Sequence, residues 1–259
     1  MVGAGLTFDE VEGRLRAAGC VDAAGEARAF LGAAPDAVTL NRWIGRREHG
    51  EPHEWIVGVV DFGGLRLHIA PGVYVPRPHT ERLAERAAAL LPPGGSALDL
   101  CTGVGAIAAH LRARVPTATV IGTDCDERAA ESARRNGVHA VVGDLADPLR
   151  AGIRFDVVTA VPPYVPTAAI DFLPIDVQRH EPEVALDGGV DGLDVARRVV
   201  EVAAQRLGPG GALLVEVGGD QAAPLTSVAR GLGFVAVAPW TDADGDLRGL
   251  SARRPLRSG

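Results

Sequence analysis

The chain has 259 residues, a length that suits one good-sized domain with an appendage or two small domains. Hydrophobic residues make up 47% of it, as in a soluble α/β protein, and its formal charge of −7 argues against the basic footprint of a nucleic-acid-binding protein. The three cysteines lack metal-type pairing and no apolar run reaches the roughly 18 residues of a membrane helix, so we expect neither a metal site nor a membrane anchor.

The first part of the chain has the pattern of short helices followed by a hairpin. Residues 1 to about 50 carry apolar side chains at three- and four-residue steps, which predicts helices. The segment 54–70 alternates around Gly63 and Gly64, which predicts a β-hairpin. A further helix is expected to run into Leu91, with Thr80 as its N-terminal cap.

From Ser96 onward, apolar strands alternate with amphipathic helices. This order predicts a parallel sheet covered on both faces. The predicted strands are 97–100, 119–124, 140–144, 155–160, 212–217 and 234–238.

A glycine-rich turn follows the first of these strands, in the stretch "ALDLCTGVGAIA". Asp99 ends the strand, and Gly103 and Gly105 allow a tight bend and close approach to a ligand. The full G-x-G-x-x-G pattern of dinucleotide-binding domains is absent because Ala108 stands in the third position. That position tolerates alanine, so a dinucleotide site stays open as an alternative.

Two more acids end the next two strands, at the edge where open α/β sheets bind ligands. Asp124 lies about 20 residues beyond the glycine turn, where a carboxylate can accept hydrogen bonds from both ribose hydroxyls of an adenosine. Asp144 could accept the adenine amino group, and Leu145 could pack on the ring. Each acid alone could be a helix cap, but three at successive strand ends favour an adenosine-type cofactor.

The stretch "AVPPYVPT" follows the fourth strand. Pro162 and Pro163 fix the backbone and lack N–H groups, so the loop presents mainly carbonyl oxygens. Such a loop suits an amine or amide N–H, and Tyr164 offers a flat face to the substrate. A rigid turn with a core tyrosine is the alternative interpretation.

Several stretches together resemble the HemK-type protein-(glutamine-N5) methyltransferases, which methylate the glutamine of the Gly-Gly-Gln motif in peptide release factors. The similar stretches are "VYVPRPHTERL", "DLCTGVGAIA", the Pro-Pro-Tyr loop, "HEPEVALDGGVDGLDVARRVV" and "LLVEVGGDQ". The resemblance implies a Rossmann-like class I S-adenosylmethionine-dependent methyltransferase with a seven-stranded, mostly parallel sheet, its last, antiparallel strand near "LRGLSARR". It also implies a helical N-terminal recognition domain over 1–52, a β-hairpin linker over 53–75 and a catalytic domain over 76–259.

The resemblance also implies roles for individual residues. Arg77, Glu81 and Glu181 would contact the substrate or act as structural salt-bridge partners. Val161, Pro162, Pro163 and Tyr164 would form the catalytic acceptor site. The cofactor would contact Asp99, Cys101, Thr102, Gly103, Val104, Gly105, Asp124, Cys125, Asp144, Leu145 and Val161.

Three positions depart from the family pattern. His79 replaces a glutamate, Cys101 replaces a glycine, and Val161 replaces the asparagine whose side-chain oxygen accepts one N–H of the acceptor amide. A hydrogen bond to a neutral group is worth about 1 kcal/mol net, and leaving a buried donor unpaired costs about 1–3 kcal/mol. If this interaction strengthens in the transition state, its loss lowers the rate by about ten- to several-hundredfold. Alternatively, Val161 changes specificity toward a secondary amine or another substrate with one N–H fewer.

We therefore expect an S-adenosylmethionine-dependent N-methyltransferase acting on a protein glutamine, with a peptide chain release factor as the expected partner. A small-molecule N-methyltransferase and a non-catalytic S-adenosylmethionine-binding protein are the alternatives. Adenine methylation of nucleic acid fits the acidic balance poorly. Because the N-terminus lacks a signal-peptide pattern, we expect a cytoplasmic protein, and we expect a monomer.

Overall fold

The computed structural model describes residues 6–242 and 244–256. Its N-terminal part contains α1 (Phe8–Ala17), α2 (Ala23–Ala33), α3 (Ala37–Glu48) and the short α4 (His53–Val57). The predicted helical character of this segment is confirmed, while its first five residues lie outside the described residues. These helices enclose a core of their own that includes Leu15, Phe30 and Ile44.

The predicted hairpin is shorter than expected. It consists of β1 (Val59–Phe62) and β2 (Leu65–His68), which pair antiparallel. The residues before it form α4, because Trp55 and Ile56 are buried side by side and Gly58, at φ +82°, ends the helix in the left-handed conformation.

The main sheet has seven strands, as the resemblance implies. Its strand order is β5-β4-β3-β6-β7-β9-β8. All strands run in the same direction except β9, which is antiparallel to both β7 and β8. The chain leaves β3 toward one edge and returns to its other side at β6, so the sheet has a topological switch point between these two strands. The strands are β3 (Ser96–Leu100), β4 (Thr119–Asp124), β5 (His139–Val142), β6 (Phe155–Ala160), β7 (Leu207–Glu216), β8 (Val235–Thr241) and β9 (Leu247–Arg253).

Helices cover both faces of this sheet. Neighbouring strand residues point to opposite sides, so Ala97 and Val157 belong to one core, while Leu98 and Val158 belong to the other. No helix in the described ranges is long and apolar enough to cross a bilayer. The helices are α5 (Glu81–Leu90), α6 (Ala106–Arg114), α7 (Glu127–Arg135), α8 (Ile175–His180), α9 (Asp194–Arg206) and α10 (Ala222–Gly231).

Thr80 does not cap α5, contrary to the sequence prediction. It occupies the N-cap position but makes no side-chain hydrogen bond to the helix. Its hydroxyl instead donates to Oε2 of Glu216 at 2.7 Å. A buried carboxylate needs hydrogen-bond donors, and this demand outweighs a local cap.

Candidate functional site

A cavity of about 730 Å³ opens at the carboxyl ends of the central strands, around the switch point. Its walls come from the glycine turn, the end of β4, the Pro-Pro-Tyr loop and the N-terminal helices. The predicted site residues that line it are Arg77, Gly103, Asp124, Cys125, Val161, Pro162, Pro163, Tyr164 and Glu181. Its lining does not include Glu81, Asp99, Cys101, Thr102, Val104, Gly105, Asp144 or Leu145.

The glycine turn combines one glycine needed for packing with one that leaves open space. Gly105 has φ +78°, and a Cβ there would lie 2.9 Å from Val138 Cγ2 and 3.0 Å from Ala133 Cβ. Gly103 has φ +55°, yet a Cβ there would meet no atom within 4 Å. The turn is therefore packed tightly onto α7 on one side and leaves a cradle on the cavity side, where a ligand can approach the backbone.

Asp124 supports this cradle. Its Oδ2 accepts from the Gly103 N–H at 2.8 Å, and its Oδ1 accepts from the Asp126 N–H at 2.9 Å. Burial raises the pKa of this carboxyl, while the backbone hydrogen bonds lower it. Because each oxygen has a second lone pair, the carboxylate can also accept from the two hydroxyls of a ribose.

Asp99 is buried behind the turn and is 1% exposed. It accepts from the hydroxyl of Thr102 at 2.6 Å and from that of Thr159 at 2.7 Å. Burial raises its pKa to about 6, and these hydrogen bonds oppose the shift. Asp99 thus ties the turn to β6, and a direct contact with the cofactor stays a prediction.

Asp144 lies at the surface beyond β5. Its Oδ2 pairs with Arg198 Nη2 at 2.6 Å, and about half of each side chain is exposed. Leu145 has a φ of +46° and packs into the core on the α9 side of the sheet. The adenine contacts predicted for this pair stay predictions.

The acceptor loop is held by groups other than the two prolines. Gln221 Nε2 donates to the carbonyl of Tyr164 at 2.7 Å, and the Val165 N–H donates to the carbonyl of Leu186 at 2.9 Å. Among the described residues, none donates to the carbonyl of Pro162. Because Pro162 lines the cavity, we expect this oxygen to serve as an acceptor for a ligand there.

A charged and aromatic cluster forms another part of the wall. Arg77 Nη2 bonds Oε1 of Glu181 at 2.6 Å, its Nε donates to the hydroxyl of Tyr74 at 3.3 Å, and its guanidinium lies over the Tyr74 ring. The Glu181 side chain is 2% exposed, and its Oε2 has no hydrogen-bond partner in the described part of the chain. Burial raises the pKa of Glu181, opposed by Arg77.

His79, Cys101 and Glu81 lie outside the cavity lining, and each has a local structural setting. His79 Nε2 lies 3.1 Å from Oε1 of Glu216, a residue that ends β7 and is 1% exposed. Cys101 has a φ of +54°, the left-handed conformation that favours glycine. Glu81 accepts the Gly63 N–H at 3.0 Å and so supports the hairpin turn.

Sequence reasoning missed three residues of this site: Tyr74, Glu216 and Gln221. The last two stand in the stretch "LLVEVGGDQ", whose resemblance was visible but assigned no role. Tyr74 is an aromatic residue in a run of valine and proline, a pattern typical of core packing.

Within residues 6–242 and 244–256, no group of three His, Cys, Asp or Glu side chains is arranged to hold a metal ion.

Comparisons with known proteins point to one chemistry. A family model described as "Methyltransferase domain" matches residues 97–172. The release factor glutamine methyltransferase of Bradyrhizobium diazoefficiens is 36% identical over 271 residues, which is 93% of this chain and 91% of the relative. That of Moorella thermoacetica is 42% identical over 200 residues, covering 73% of this chain and 70% of the relative.

A third relative is named for a small molecule. It is the 4-amino-L-phenylalanine/4-methylamino-L-phenylalanine methyltransferase of Streptomyces pristinaespiralis, 38% identical over 249 residues, with 90% of this chain and 84% of the relative covered. Among solved structures, a methyltransferase from Pyrococcus furiosus matches with a TM-score of 0.54 at 21% identity, covering 73% of this chain and 90% of that one. The T. thermophilus 16S rRNA N2 G1207 methyltransferase, in complex with AdoMet and guanosine, matches with a TM-score of 0.53 at 24% identity, covering 76% and 49%. The two structures share the fold.

Proposed function

The chain belongs to the family of release factor glutamine methyltransferases, and we propose that its acceptor is the side-chain amide nitrogen of a glutamine in a protein. It is an S-adenosylmethionine-dependent methyltransferase with a class I fold. The observation that carries the proposal is one cavity that joins the Gly103–Asp124 cradle to a Pro-Pro-Tyr loop with an unpaired carbonyl. A release factor is the protein substrate that we propose.

The cradle fits the methyl donor. Gly103 leaves space over the backbone, and Asp124 presents a carboxylate to the ribose hydroxyls. When bound, S-adenosylmethionine supplies a methyl group on a positively charged sulfur. We assign the cradle to Gly103, Asp124 and Cys125, with Asp99 and Thr102 holding the turn from behind.

The acceptor loop meets the main difficulty of amide methylation, which is the weak nucleophilicity of the nitrogen. The Pro162 carbonyl can accept one amide N–H, which orients the nitrogen and concentrates electron density on it. Pro163 and Tyr164 keep that carbonyl in place, since Gln221 holds the loop from the other side. Alignment of the nitrogen with the methyl carbon supplies the rest of the rate enhancement.

The N-terminal helices complete the opening through which a protein glutamine would enter. Arg47 on α3 bonds Glu26 on α2 at 2.7 Å and lies 4.0 Å from Asp176 on α8, so it joins the N-terminal part to the catalytic part. Exposed Val21 and Ile175 also line the cavity. An apolar rim of this kind suits a polypeptide segment.

A small-molecule amine is the second candidate acceptor. Val161 favours an amine that carries a single N–H, because no side-chain oxygen at this position can accept a second one. With the same glutamine amide, the unpaired donor would cost about 1–3 kcal/mol and slow transfer by about five- to 150-fold. The relative named for an aromatic amine also favours this second candidate.

The proposal is tested by methyl transfer from labelled S-adenosylmethionine to a purified release factor. We expect label in the release factor, and none when the glutamine of its Gly-Gly-Gln motif is replaced by glutamate. Calorimetric titration with S-adenosylhomocysteine shows in parallel that the cradle is intact. A protein that binds S-adenosylhomocysteine but does not label the release factor would refute the glutamine acceptor and leave the methyltransferase assignment standing.

A further inference from the structure

Val161 presents an apolar side chain to the cavity, next to the loop that we propose holds the acceptor nitrogen. It directly follows β6, is half-buried, and lines the cavity beside Pro162. Its side chain packs against the core cluster that contains Val73 and Val75, which also line the cavity. At position 161 the site therefore offers hydrocarbon and no side-chain hydrogen-bond acceptor.

The loop around Val161 has few polar groups left for a nitrogen. Pro162 and Pro163 have no N–H, and the carbonyl of Tyr164 already accepts from Gln221. The carbonyl of Pro163 faces Gly188, where an added Cβ would lie 2.7 Å from it. Among the described residues, none donates to the carbonyl of Pro162, and Pro162 lines the cavity, so we take this oxygen as the acceptor for one N–H.

From this inventory, which rests on the function proposed above, we propose that the site also accepts a nitrogen carrying one methyl group and transfers a second methyl to it. Such a nitrogen has one N–H for the Pro162 carbonyl, and its methyl group packs against Val161. An unmethylated nitrogen leaves one N–H facing hydrocarbon instead. The buried unpaired donor lowers its kcat/KM by roughly tenfold to a hundredfold relative to the methylated one.

The chemistry of the second step is that of the first. The nitrogen lone pair forms the new N–C bond, and the C–S bond breaks with its electron pair passing to sulfur. The nitrogen then releases one N–H proton to water. After the first transfer it carries one methyl and one N–H, and after the second, with a second molecule of S-adenosylmethionine, it carries two methyl groups and no N–H.

The loop's supports indicate that Val161 changes what faces the acceptor without displacing the loop. Gln221 holds Tyr164, and the N–H of Gly188 donates to the carbonyl of Val165 at 2.8 Å. These hydrogen bonds involve backbone carbonyls and do not depend on the side chain at position 161. Val161→Asn therefore restores an acceptor in an otherwise unchanged site, and Val161→Ala removes volume while staying apolar.

The test compares acceptor pairs that differ by one methyl on the nitrogen. One pair is a release-factor peptide with glutamine or N5-methylglutamine, and the other is an aromatic amine with its N-methyl derivative. The full chain is used with S-adenosylmethionine, and mass spectrometry counts the methyl groups added. Binding of each acceptor in the presence of S-adenosylhomocysteine is measured by calorimetry, which gives a readout independent of turnover.

We expect the wild type to carry its acceptor to the dimethyl product and to prefer the methylated member of the pair by tenfold or more. Val161→Asn should stop at one methyl and reverse the preference, while Val161→Ala should retain it. A wild type that adds one methyl only, and binds the methylated acceptor no more tightly, overturns the inference. If only the amine pair reacts, the glutamine acceptor is refuted, and the preference between the two amines then decides this inference. If neither pair is methylated, both the proposed glutamine acceptor and this inference are refuted.

Discussion

Gln221 gives the most direct test of how the acceptor loop is positioned. This residue is 8% exposed, and its Nε2 donates to the carbonyl of Tyr164 at 2.7 Å, with Gly192 and Asp191 carbonyls at 3.2 and 3.3 Å. Its Oε1 accepts the Gly218 N–H at 3.0 Å. One side chain thus joins the loop after β6 to the segments after β7 and before α9.

Gln221→Ala leaves the carbonyl of Tyr164 and the N–H of Gly218 without these partners. Each unpaired buried group costs about 1–3 kcal/mol, of which water entering the gap recovers part. If about 2 kcal/mol of this is lost from the positioned loop, kcat/KM falls by roughly thirtyfold. The affinity for S-adenosylhomocysteine should stay within about twofold, because the Gly103–Asp124 cradle lies on other strands.

The assay combines methyl-transfer kinetics with calorimetric binding of S-adenosylhomocysteine, and thermal unfolding checks that the variants are folded. Gln221→Glu is the matched control: it keeps the shape and the acceptor for Gly218 but loses the N–H donors to Tyr164. It should therefore lose activity nearly as far as Gln221→Ala. Unchanged kcat/KM in both variants, or an equal loss of S-adenosylhomocysteine affinity, would refute the reasoning.

Three further predictions concern the cofactor side. Asp124→Asn should weaken S-adenosylhomocysteine binding by about ten- to a hundredfold in calorimetry, because charge-assisted hydrogen bonds contribute about 1.5–3 kcal/mol each; unchanged affinity contradicts the ribose role. Gly105→Ala should lower the free energy of unfolding by about 2–3 kcal/mol in urea titrations, because of left-handed strain and the 2.9 Å contact with Val138. Gly103→Ala should lower that free energy by about 1 kcal/mol only, but should weaken ligand binding. Equal losses of stability in the two variants would contradict this. Because the pKa of Asp99 is raised from 3.8 to about 6, the folded state holds the proton more tightly, so stability relative to Asp99→Asn should fall by on the order of 3 kcal/mol as pH rises through this range; a flat difference contradicts it.

The order of strands and helices in the catalytic part followed from local pattern. Two predicted strands, 119–124 and 155–160, have the same bounds in the structure, since a buried parallel strand is a short apolar run between turn residues. The start of the hairpin was placed too early, because the apolar residues 55 and 56 serve helix packing as well as they would serve a strand. Periodicity alone does not separate these cases over five residues.

The candidate site likewise contains residues that the sequence could locate and contacts that it could not. Gly103, Asp124 and the Pro-Pro-Tyr loop could be located from sequence because each directly follows a strand, and the carboxyl ends of parallel strands meet at one edge. The partnerships of Thr80 with Glu216, and of Gln221 with Tyr164, join residues 136 and 57 positions apart. Nothing in the spacing of the chain encodes them.

The amino-acid sequence by itself therefore determined the fold class, the family and the place of the glycine turn, because these depend on residue type and short-range spacing. Only the tertiary structure decided which polar groups have no partner among the described residues, namely the carbonyl of Pro162 and the second oxygen of Glu181, and where open space lies over Gly103. The physical reason is that a polar group already hydrogen-bonded to a residue distant in sequence is no longer available to a substrate, just as if its residue had been replaced. What remains unpaired in the cavity is what a substrate can bind.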